Sequence, residues 1–228
     1  MVTREEIATK INAPDVKECL QGIRAAVNLA AAGTTLLIEL FERRRQEKLP
    51  IDFIDGAIYQ TLRQMGDQTL QKSLMEGLQL QERRIDYGEL FDLLSLASYQ
   101  KADVLTNKKM CEAAGTGALA RGWLYFTDVE QMDLADLLTI DRLWLVFSEG
   151  KFGYSVQRRI WLNLGKNWEK LWQQIQWKQN GSFARYPSGF IWSLEAPRGH
   201  LPLSNQIRGN KTLEAIFNML EKANGSTS

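Results

Sequence analysis

The sequence predicts an all-α protein of two domains: an N-terminal helical bundle with repeat-like spacing, and a mostly helical C-terminal domain with long loops. Three observations support this prediction. In the first 84 residues, Pro and Gly breakers recur every 16 to 19 residues, which suits helices of three to four turns joined by tight turns. Apolar residues between the breakers follow the helical period. In the remainder, segments of helical period alternate with stretches rich in Gly and Pro.

The N-terminal domain, residues 1–84, is predicted to consist of stacked antiparallel helices. Leu36, Leu37, Leu40 and Phe41 show the apolar face of one of them. Each breaker is followed by a candidate N-cap, whose side-chain oxygen would accept a bond from an orphan backbone N–H. The pairs are Pro14 with Asp15, Gly33 with Thr34 or Thr35, Pro50 with Asp52, and Gly66 with Asp67. No pattern in this half indicates chemistry.

The second domain is predicted to span residues 85–228, with a core at 85–215 and a short C-terminal tail. It begins with two helices that meet in a turn near Ser98, and a further helix covers residues 136–147. Three glycines are expected to break the chain between these helices: Gly115, Gly117 and Gly122.

An aromatic stripe and a long loop follow. Trp161, Trp168 and Trp172 are seven and eleven residues apart, which places them on one face of a helix unless Gly165 breaks it. Large aromatic side chains dominate protein cores, so core packing is the expected role of this stripe. Residues 181–209 contain seven Gly or Pro, too many for regular structure, and long aromatic loops are usually functional.

Composition excludes several classes of protein. The longest stretch without a charged residue, 25–38, is shorter than the roughly 20 apolar residues of a membrane-spanning helix, and the mean hydropathy is −0.29. The N-terminal residues resemble neither a secretion signal nor a transit peptide, so a cytoplasmic location is expected. Cys19 and Cys111 are far apart and His200 is the only histidine. We therefore expect no disulfide framework and no structural metal site.

The net charge of +1 conceals two oppositely charged segments. Residues 85–150 carry 5 basic and 11 acidic side chains, whereas residues 151–211 carry 10 basic and 2 acidic ones. All seven Trp lie between Trp123 and Trp192, together with three of the six Tyr and five of the nine Phe. We expect the function to be located in this part of the chain.

The loop-rich segment combines flat apolar surface with cations. Its apolar and aromatic members are Phe183, Tyr186, Phe190, Ile191, Trp192, Leu194, Leu201, Leu203 and Ile207, and its polar members are Arg185, Arg198, Asn205, Gln206, Arg208 and Lys211. Such surface suits a flat hydrophobic ligand with peripheral carboxylates. It also describes a site for single-stranded nucleic acid, where bases stack on rings. The neighbouring acidic segment and the aliphatic side chains favour the small acidic ligand, but composition alone leaves both open.

Three runs of residues carry a family resemblance. They are RGWLYFTDVEQM at 121–132, DLLTIDRLWLVFSEGKFGYSVQRRIW at 136–161, and FIWSLEAPRGHLPLSNQIRG at 190–209. Within them, FGYSVQ and APRGHLP are specific in this order and separation. On these motifs, residues 85–215 resemble the genomes-uncoupled porphyrin-binding regulators of magnesium chelatase. The helical first half is similar to the extension found in cyanobacterial members.

This resemblance implies a cupped, all-helical domain whose concave face binds protoporphyrin IX and its magnesium complex. It implies a non-catalytic activator of magnesium chelatase in chlorophyll synthesis, whose protein partner is the large porphyrin-binding subunit of that enzyme. No nucleic-acid partner is expected, contact with photosynthetic membranes would be peripheral and made through partners, and a monomer is expected. A single-stranded nucleic-acid module or a protein-interaction scaffold remains the alternative.

The resemblance also assigns roles to individual residues. Phe126 would form an aromatic wall, and Tyr186 would supply a ring where other members carry Trp. Asn205 and Arg208 would bind propionates, and Lys211 stands where similar members carry Arg, so it keeps the charge without the bidentate fork. Together with the loop constellation, the expected porphyrin-binding set is Phe126, Phe183, Tyr186, Trp192, Arg198, Leu201, Asn205, Ile207, Arg208 and Lys211.

Other polar residues are expected to be structural. His200 lies between Gly and Pro, which favours backbone hydrogen bonding over a role as magnesium ligand or general base. Asp141 and Arg142 are expected to cap and brace helices. Gln157 and Arg158 could face the ligand or hold loops. No set of nucleophile, base and orienting residue is evident, so an enzyme is not expected.

Overall fold

The computed structural model describes residues 3–204 and 210–225. These residues form thirteen α-helices, two 3-10 helices and one two-stranded sheet, which confirms the predicted all-α class. The chain divides into two compact units, Met1–Gln81 and Glu82–Ser228. Within the described residues, no helix has both the length and the apolar character needed to cross a membrane.

The first unit is built from five α-helices. They are α1 (Arg4–Ile11), α2 (Val16–Ala25), α3 (Ala31–Gln46), α4 (Phe53–Gln64) and α5 (Gln71–Gly77), with 3-10 helices at Ala26–Leu29 and Leu80–Glu82. Helices α2 and α3 each pack against both α1 and α4. The side chains at the centre of this packing are fully buried: Ile7, Ile23, Leu37, Ile58, Tyr59, Leu62 and Leu74.

Two of the predicted N-caps are confirmed. An Asp15 carboxylate oxygen accepts a hydrogen bond from the Glu18 N–H at 2.9 Å, and one from Asp52 accepts from the Ile54 N–H at 2.8 Å. Each bond satisfies an amide that has no partner within its own helix. These two aspartates therefore start α2 and α4 as the sequence predicts.

The other two predicted helix starts are wrong. Gly33 lies inside α3, which begins at Ala31, so neither Thr34 nor Thr35 caps it. A glycine is needed at position 33 because the backbone of Ala26 approaches it closely. A Cβ there would lie 2.0 Å from the carbonyl oxygen of Ala26. Asp67 accepts a bond from the Thr69 N–H at 2.7 Å, and this closes a turn ahead of α5 rather than capping the helix.

The second unit contains eight α-helices and a short hairpin. They are α6 (Gly88–Ser95), α7 (Tyr99–Ala114), α8 (Thr116–Arg121), α9 (Phe126–Val129), α10 (Leu134–Val146), α11 (Tyr154–Asn163), α12 (Trp168–Gln174), β1 (Lys178–Gln179), β2 (Ser182–Phe183) and α13 (Lys211–Gly225). Strands β1 and β2 are antiparallel, with Lys178 opposite Phe183 and Gln179 opposite Ser182.

Two local predictions for this unit need correction. Gly117 does not break the chain but lies within α8, whose ends are marked by Gly115 and Gly122, both at positive φ. The hairpin also places regular structure at Ser182–Phe183, where the density of Gly and Pro predicted none. Gly181 at φ +80° supplies the positive φ that such a tight turn requires.

Two residues of the tryptophan stripe, Trp161 and Trp172, pack in the core as predicted, whereas Trp168 is half-buried, and the stripe does not lie on one helix. Gly165 adopts φ +67° between α11 and α12 and breaks the helical run. The rings still form a chain: Trp161 and Trp168 have centroids 4.8 Å apart, Trp168 and Trp172 5.3 Å, and Trp172 and Trp177 5.3 Å. Stacked aromatics of this kind bury large apolar areas.

Buried polar groups hold the long loop against the helices. The Gln157 side-chain amide donates to the carbonyl oxygens of Gly199 at 3.0 Å and Pro202 at 2.8 Å. The Arg158 guanidinium donates to the Phe217 carbonyl oxygen on α13 at 3.0 Å. The sequence left open whether Gln157 and Arg158 face the ligand or hold loops. In the structure, both side chains hold backbone segments in place.

Candidate ligand-binding cavity

An open cavity of about 940 Å³ lies within the second unit. One side is the exposed face of α7, another is the end of α8 with Gly122 and Trp123, and a third is the aromatic loop, residues 183–190. The lining residues are Asp103, Val104, Asn107, Lys108, Cys111, Leu119, Gly122, Trp123, Phe183, Ala184, Arg185, Tyr186, Phe190, Leu203 and Ser204. Its volume is in the range of small-molecule sites.

The face of α7 was not identified from the sequence. Asp103, Asn107 and Cys111 follow each other at intervals of four residues, so they form one row along the helix, with Val104 and Lys108 in the neighbouring row. Val104 is 57% exposed although it is apolar. The sequence signal that could have revealed this face is the spacing of Asp103 and Asn107, two polar residues four positions apart, with Val104 beside them.

The aromatic loop provides rings at different depths. Phe190 is buried, with its ring centroid 5.7 Å from that of His200. Phe183 and Tyr186 are about half exposed, at 46% and 54%. The Tyr186 ring meets the Trp192 ring edge-on, with the ring centroids 5.9 Å apart. Exposed rings fixed at the mouth of a cavity offer flat apolar surface to a ligand.

Trp123 is held in place by a cation. The Arg121 guanidinium lies 5.2 Å from the centroid of the Trp123 ring and 4.8 Å from that of Tyr125, and it pairs with the Asp128 carboxylate. The Trp123 and Tyr125 rings are themselves 4.1 Å apart. Cation–π contacts of this kind restrict the orientation of the indole, so this side of the cavity is flat and fixed.

The charges of the cavity are unevenly placed. Lys108 and Arg185 are both exposed, one on α7 and one on the aromatic loop. Asp103 is only 7% exposed, and its carboxylate accepts a hydrogen bond from the Leu203 N–H at 2.7 Å. Burial raises the pKa of Asp103 to about 7, and the Leu203 bond partly opposes this. Cations thus stand at the exposed positions and an acid at a buried one.

Of the expected porphyrin-binding residues, the cavity brings together Phe183 and Tyr186. Trp192 is half-buried and does not line the cavity, but its ring contacts the rings of two lining residues, Tyr186 and Phe190. Arg198 is exposed and does not line the cavity. Three further expected residues, Asn205, Ile207 and Arg208, lie outside the described residues.

Phe126 and Lys211 form a separate pair. Phe126 is 40% exposed at the start of α9, and the Lys211 ammonium nitrogen lies 5.6 Å from the centroid of its ring. Lys211 starts α13, which packs against α9. Neither residue lines the cavity. These two expected site residues therefore contact each other, with the Lys211 ammonium group over the Phe126 ring.

Leu201 needs correction, because it is fully buried. Its carbonyl oxygen accepts a hydrogen bond from the Gly153 N–H at 3.0 Å, and the side chain belongs to the core under the loop. It has no surface for a ligand. The apolar character of Leu201 thus serves packing, whereas Leu203, two residues further on, lines the cavity.

The polar residues outside the cavity show no catalytic arrangement among the described residues. His200 is 1% exposed, and its Nδ1–H donates to the Ile175 carbonyl oxygen at 2.6 Å while Nε2 accepts from the Ile191 N–H at 3.0 Å. Asp141 is buried and accepts from the Ser155 N–H at 2.8 Å, at the start of α11. The structural roles predicted for these two residues are confirmed. Within residues 3–204 and 210–225, no three His, Cys, Asp or Glu side chains meet as metal ligands would.

Family profiles match both units. The profile described as GUN4-like matches residues 80–219, and the profile described as ARM-like repeat domain, GUN4-N terminal, matches residues 3–78. A Ycf53-like protein from Synechocystis is 39% identical over 218 residues, which is 93% of either chain. A chloroplastic tetrapyrrole-binding protein of Arabidopsis thaliana is 34% identical over 129 residues, which covers 53% of this chain and 49% of that protein.

Two solved structures are similar to the chain. The structure of GUN4 from Chlamydomonas reinhardtii matches with a TM-score of 0.56 and 41% identity, over 59% of this chain and 86% of that one. The ligand-free structure of Arabidopsis thaliana GUN4 matches with a TM-score of 0.53 and 34% identity, over 57% of this chain and 90% of that one.

Proposed function

Because the chain belongs to the GUN4-like family, we propose that it binds a tetrapyrrole in the cavity between α7, Trp123 and the aromatic loop. The observation that carries this proposal is the pairing of flat apolar walls with two exposed cations, Lys108 and Arg185. A porphyrin dicarboxylate has the complementary form: a flat apolar macrocycle with acid groups at its edge. The name of the Arabidopsis relative, a tetrapyrrole-binding protein, supports the same ligand class.

Protoporphyrin IX and its magnesium complex are the specific ligands that we propose. The macrocycle would lie against Trp123, Phe183 and Tyr186, and its propionates would meet the cations of the cavity rim. The residues that the sequence resemblance assigns to propionates, Asn205 and Arg208, come one and four positions after Ser204 in the sequence, and Ser204 lines the cavity. Either ligand would thus meet apolar surface at its faces and positive charge at its acid edge.

Trp fluorescence tests the ligand. Titration with protoporphyrin IX should quench the emission, because Trp123 lines the cavity and the other six tryptophans belong to the same unit. Absence of quenching at micromolar ligand would rule out porphyrin binding. A single-stranded oligonucleotide of equal charge serves as the control, and binding of it that falls steeply with salt would favour the nucleic-acid alternative.

A pair of variants tests the location. Val104→Asp places a carboxylate on the apolar face of α7, where it would be desolvated against the macrocycle, so porphyrin affinity should fall roughly tenfold or more. Leu138→Asp is the matched control, because Leu138 is also an exposed apolar residue on a helix, at 39%, and does not line the cavity. Equal affinity of the two variants would place the ligand elsewhere.

We further propose that the protein is not an enzyme but a regulator that delivers porphyrin to magnesium chelatase through its large porphyrin-binding subunit. The lack of a catalytic arrangement among the described residues agrees with this role. Addition of the protein to purified chelatase should raise the rate of magnesium insertion, and the Val104→Asp variant should not raise it. Turnover of porphyrin by the protein alone would contradict the proposal. We also propose that it acts as a monomer, in the cytoplasm, and reaches photosynthetic membranes only through its partners.

A further inference from the structure

Asp103 is the one acidic side chain among the described residues that line the cavity. It lies on α7 between the exposed Val104 and the interior, and 7% of its surface remains exposed. Its carboxylate accepts a hydrogen bond from the backbone N–H of Leu203, itself a lining residue, at 2.7 Å. A carboxyl group in this position is covered completely once a ligand fills the cavity.

Among the described residues, no cation neutralises this carboxylate. Asp103 forms no ion pair with any of them, and the two described cations that line the cavity, Lys108 and Arg185, are both exposed. The charge of Asp103 acts on two phenols, Tyr154 on α11 and Tyr186 on the aromatic loop. Burial raises the pKa of each phenol, and the charge of Asp103 raises it further.

We propose that Asp103 makes binding at the porphyrin site depend on pH: it takes up a proton from solvent when the macrocycle covers it, so that the anionic ligand binds more tightly at lower pH. This inference rests on the proposed function. No bond to the ligand forms or breaks in this step. The neutral carboxyl group keeps an oxygen that can accept the Leu203 hydrogen bond, so protonation does not require this bond to break.

Two physical effects act in the same direction. The apolar macrocycle displaces the remaining water from the carboxyl group, and the ligand carries negative charge of its own, so both disfavour the carboxylate. The free protein, in which burial raises the pKa of Asp103 to about 7, is therefore part-ionised at neutral pH, whereas the bound protein is neutral there. By linkage, the affinity should fall about tenfold between pH 6 and pH 8.

The experiment is a titration with protoporphyrin IX at pH 6, 7 and 8. Wild type should lose affinity about tenfold across this range. Asp103→Asn keeps the oxygen that accepts from Leu203 but cannot ionise, so its affinity should not change with pH. Glu195→Gln removes an exposed acid outside the cavity and should keep the wild-type slope. Carboxyl groups of the ligand titrate near pH 4.3, below the range of the experiment.

A second measurement does not depend on the folding of the variant. Calorimetric titration of wild type at pH 7 in buffers of different ionisation enthalpy counts the protons taken up, and about half a proton per porphyrin is expected. Binding without proton uptake, or an Asp103→Asn protein with the wild-type slope, would overturn the role of Asp103 while leaving porphyrin binding intact. Absence of binding at every pH would overturn the proposed function itself.

Discussion

Both ring nitrogens of His200, the single histidine of the chain, form hydrogen bonds to the backbone. His200 donates from Nδ1 to Ile175 and accepts at Nε2 from Ile191, and its own carbonyl oxygen accepts from the Trp177 indole N–H at 2.7 Å. Only the neutral imidazole can make this pair of bonds, because a protonated ring would turn Nε2 into a donor facing another donor. His200 therefore joins α12, the hairpin and the long loop.

His200 makes the stability of the second unit depend on pH. Burial lowers the pKa of His200 below its ordinary value of 6.5. The unfolded chain then binds more protons, so the stabilisation is present above pH 6.5 and is lost as the pH falls through the folded-state pKa. In the Asp103→Asn protein, urea unfolding followed by Trp fluorescence should give a smaller free energy of unfolding at pH 5.5 than at pH 7.5.

The control for this prediction removes an opposing group. Asp103 has a raised pKa in the folded state, so its contribution is present below its unfolded value of 3.8 and is lost as the pH rises towards 7. The comparison is therefore made in the Asp103→Asn protein, with and without His200→Gln. A pH dependence that survives His200→Gln would show that another group causes it.

The two exposed cations of the cavity should act on the acid groups of the ligand. Lys108→Gln and Arg185→Gln should each weaken the binding of protoporphyrin IX roughly twofold to fivefold, the range for solvent-exposed charge pairs. The dimethyl ester of the same porphyrin should bind both variants as it binds wild type. If acid and ester lose affinity equally, the cations act on packing and not on charge.

Arg208 lies outside the described residues, so the propionate contact that the sequence resemblance assigns to it stays a prediction. Arg208→Ala should weaken binding of the dicarboxylic porphyrin by about 1–3 kcal/mol, the range for a hydrogen bond to a charged group. Fluorescence titration with acid and ester checks this, and an equal loss for both ligands would exclude a propionate contact.

Two helical glycines show how neighbouring elements decide the effect of a residue. A Cβ at Gly33 in α3 would lie 2.0 Å from the Ala26 carbonyl oxygen, whereas at Gly117 in α8 the nearest atom is a flexible Arg121 nitrogen at 3.5 Å. Gly33→Ala should therefore cost about 1–3 kcal/mol through overpacking. Gly117→Ala should stabilise the protein by about 0.5–1 kcal/mol through helix propensity. Thermal unfolding followed by far-UV circular dichroism compares the two, and a stabilised Gly33→Ala would contradict the close approach.

Helix periodicity was sufficient for several elements but not for their junctions. The apolar period predicts α10 and the pair α6 and α7, because one face of each helix is buried. It could not predict that Gly33 and Gly117 lie inside helices, because a helix tolerates Gly when packing compensates. Nor could it predict the row of Asp103, Asn107 and Cys111 as a cavity wall, because the opposite wall is formed by residues about 80 positions later in the sequence.

The division of the chain into two units leads to a prediction about the first one. Every described residue that lines the cavity belongs to Glu82–Ser228. Residues 82–228 alone should therefore bind protoporphyrin IX with the affinity of the full chain, measured by the same fluorescence titration. A truncated protein that is folded by circular dichroism but binds more than about tenfold more weakly, or 1.4 kcal/mol, would assign residues 1–81 a part in the site.

The sequence by itself determined the all-α class, the helical repeat-like first half, the family, and the concentration of aromatic and basic residues in the second half. These follow from local periodicity, composition and motifs, which do not depend on distant contacts. Only the tertiary structure decided which of those residues share a cavity. Leu201 is in the core while Leu203 lines the cavity, and Phe126 pairs with Lys211. The raised pKa of Asp103 is also a result of the tertiary structure, because it comes from the burial of the carboxyl group between α7 and the segment at Leu203.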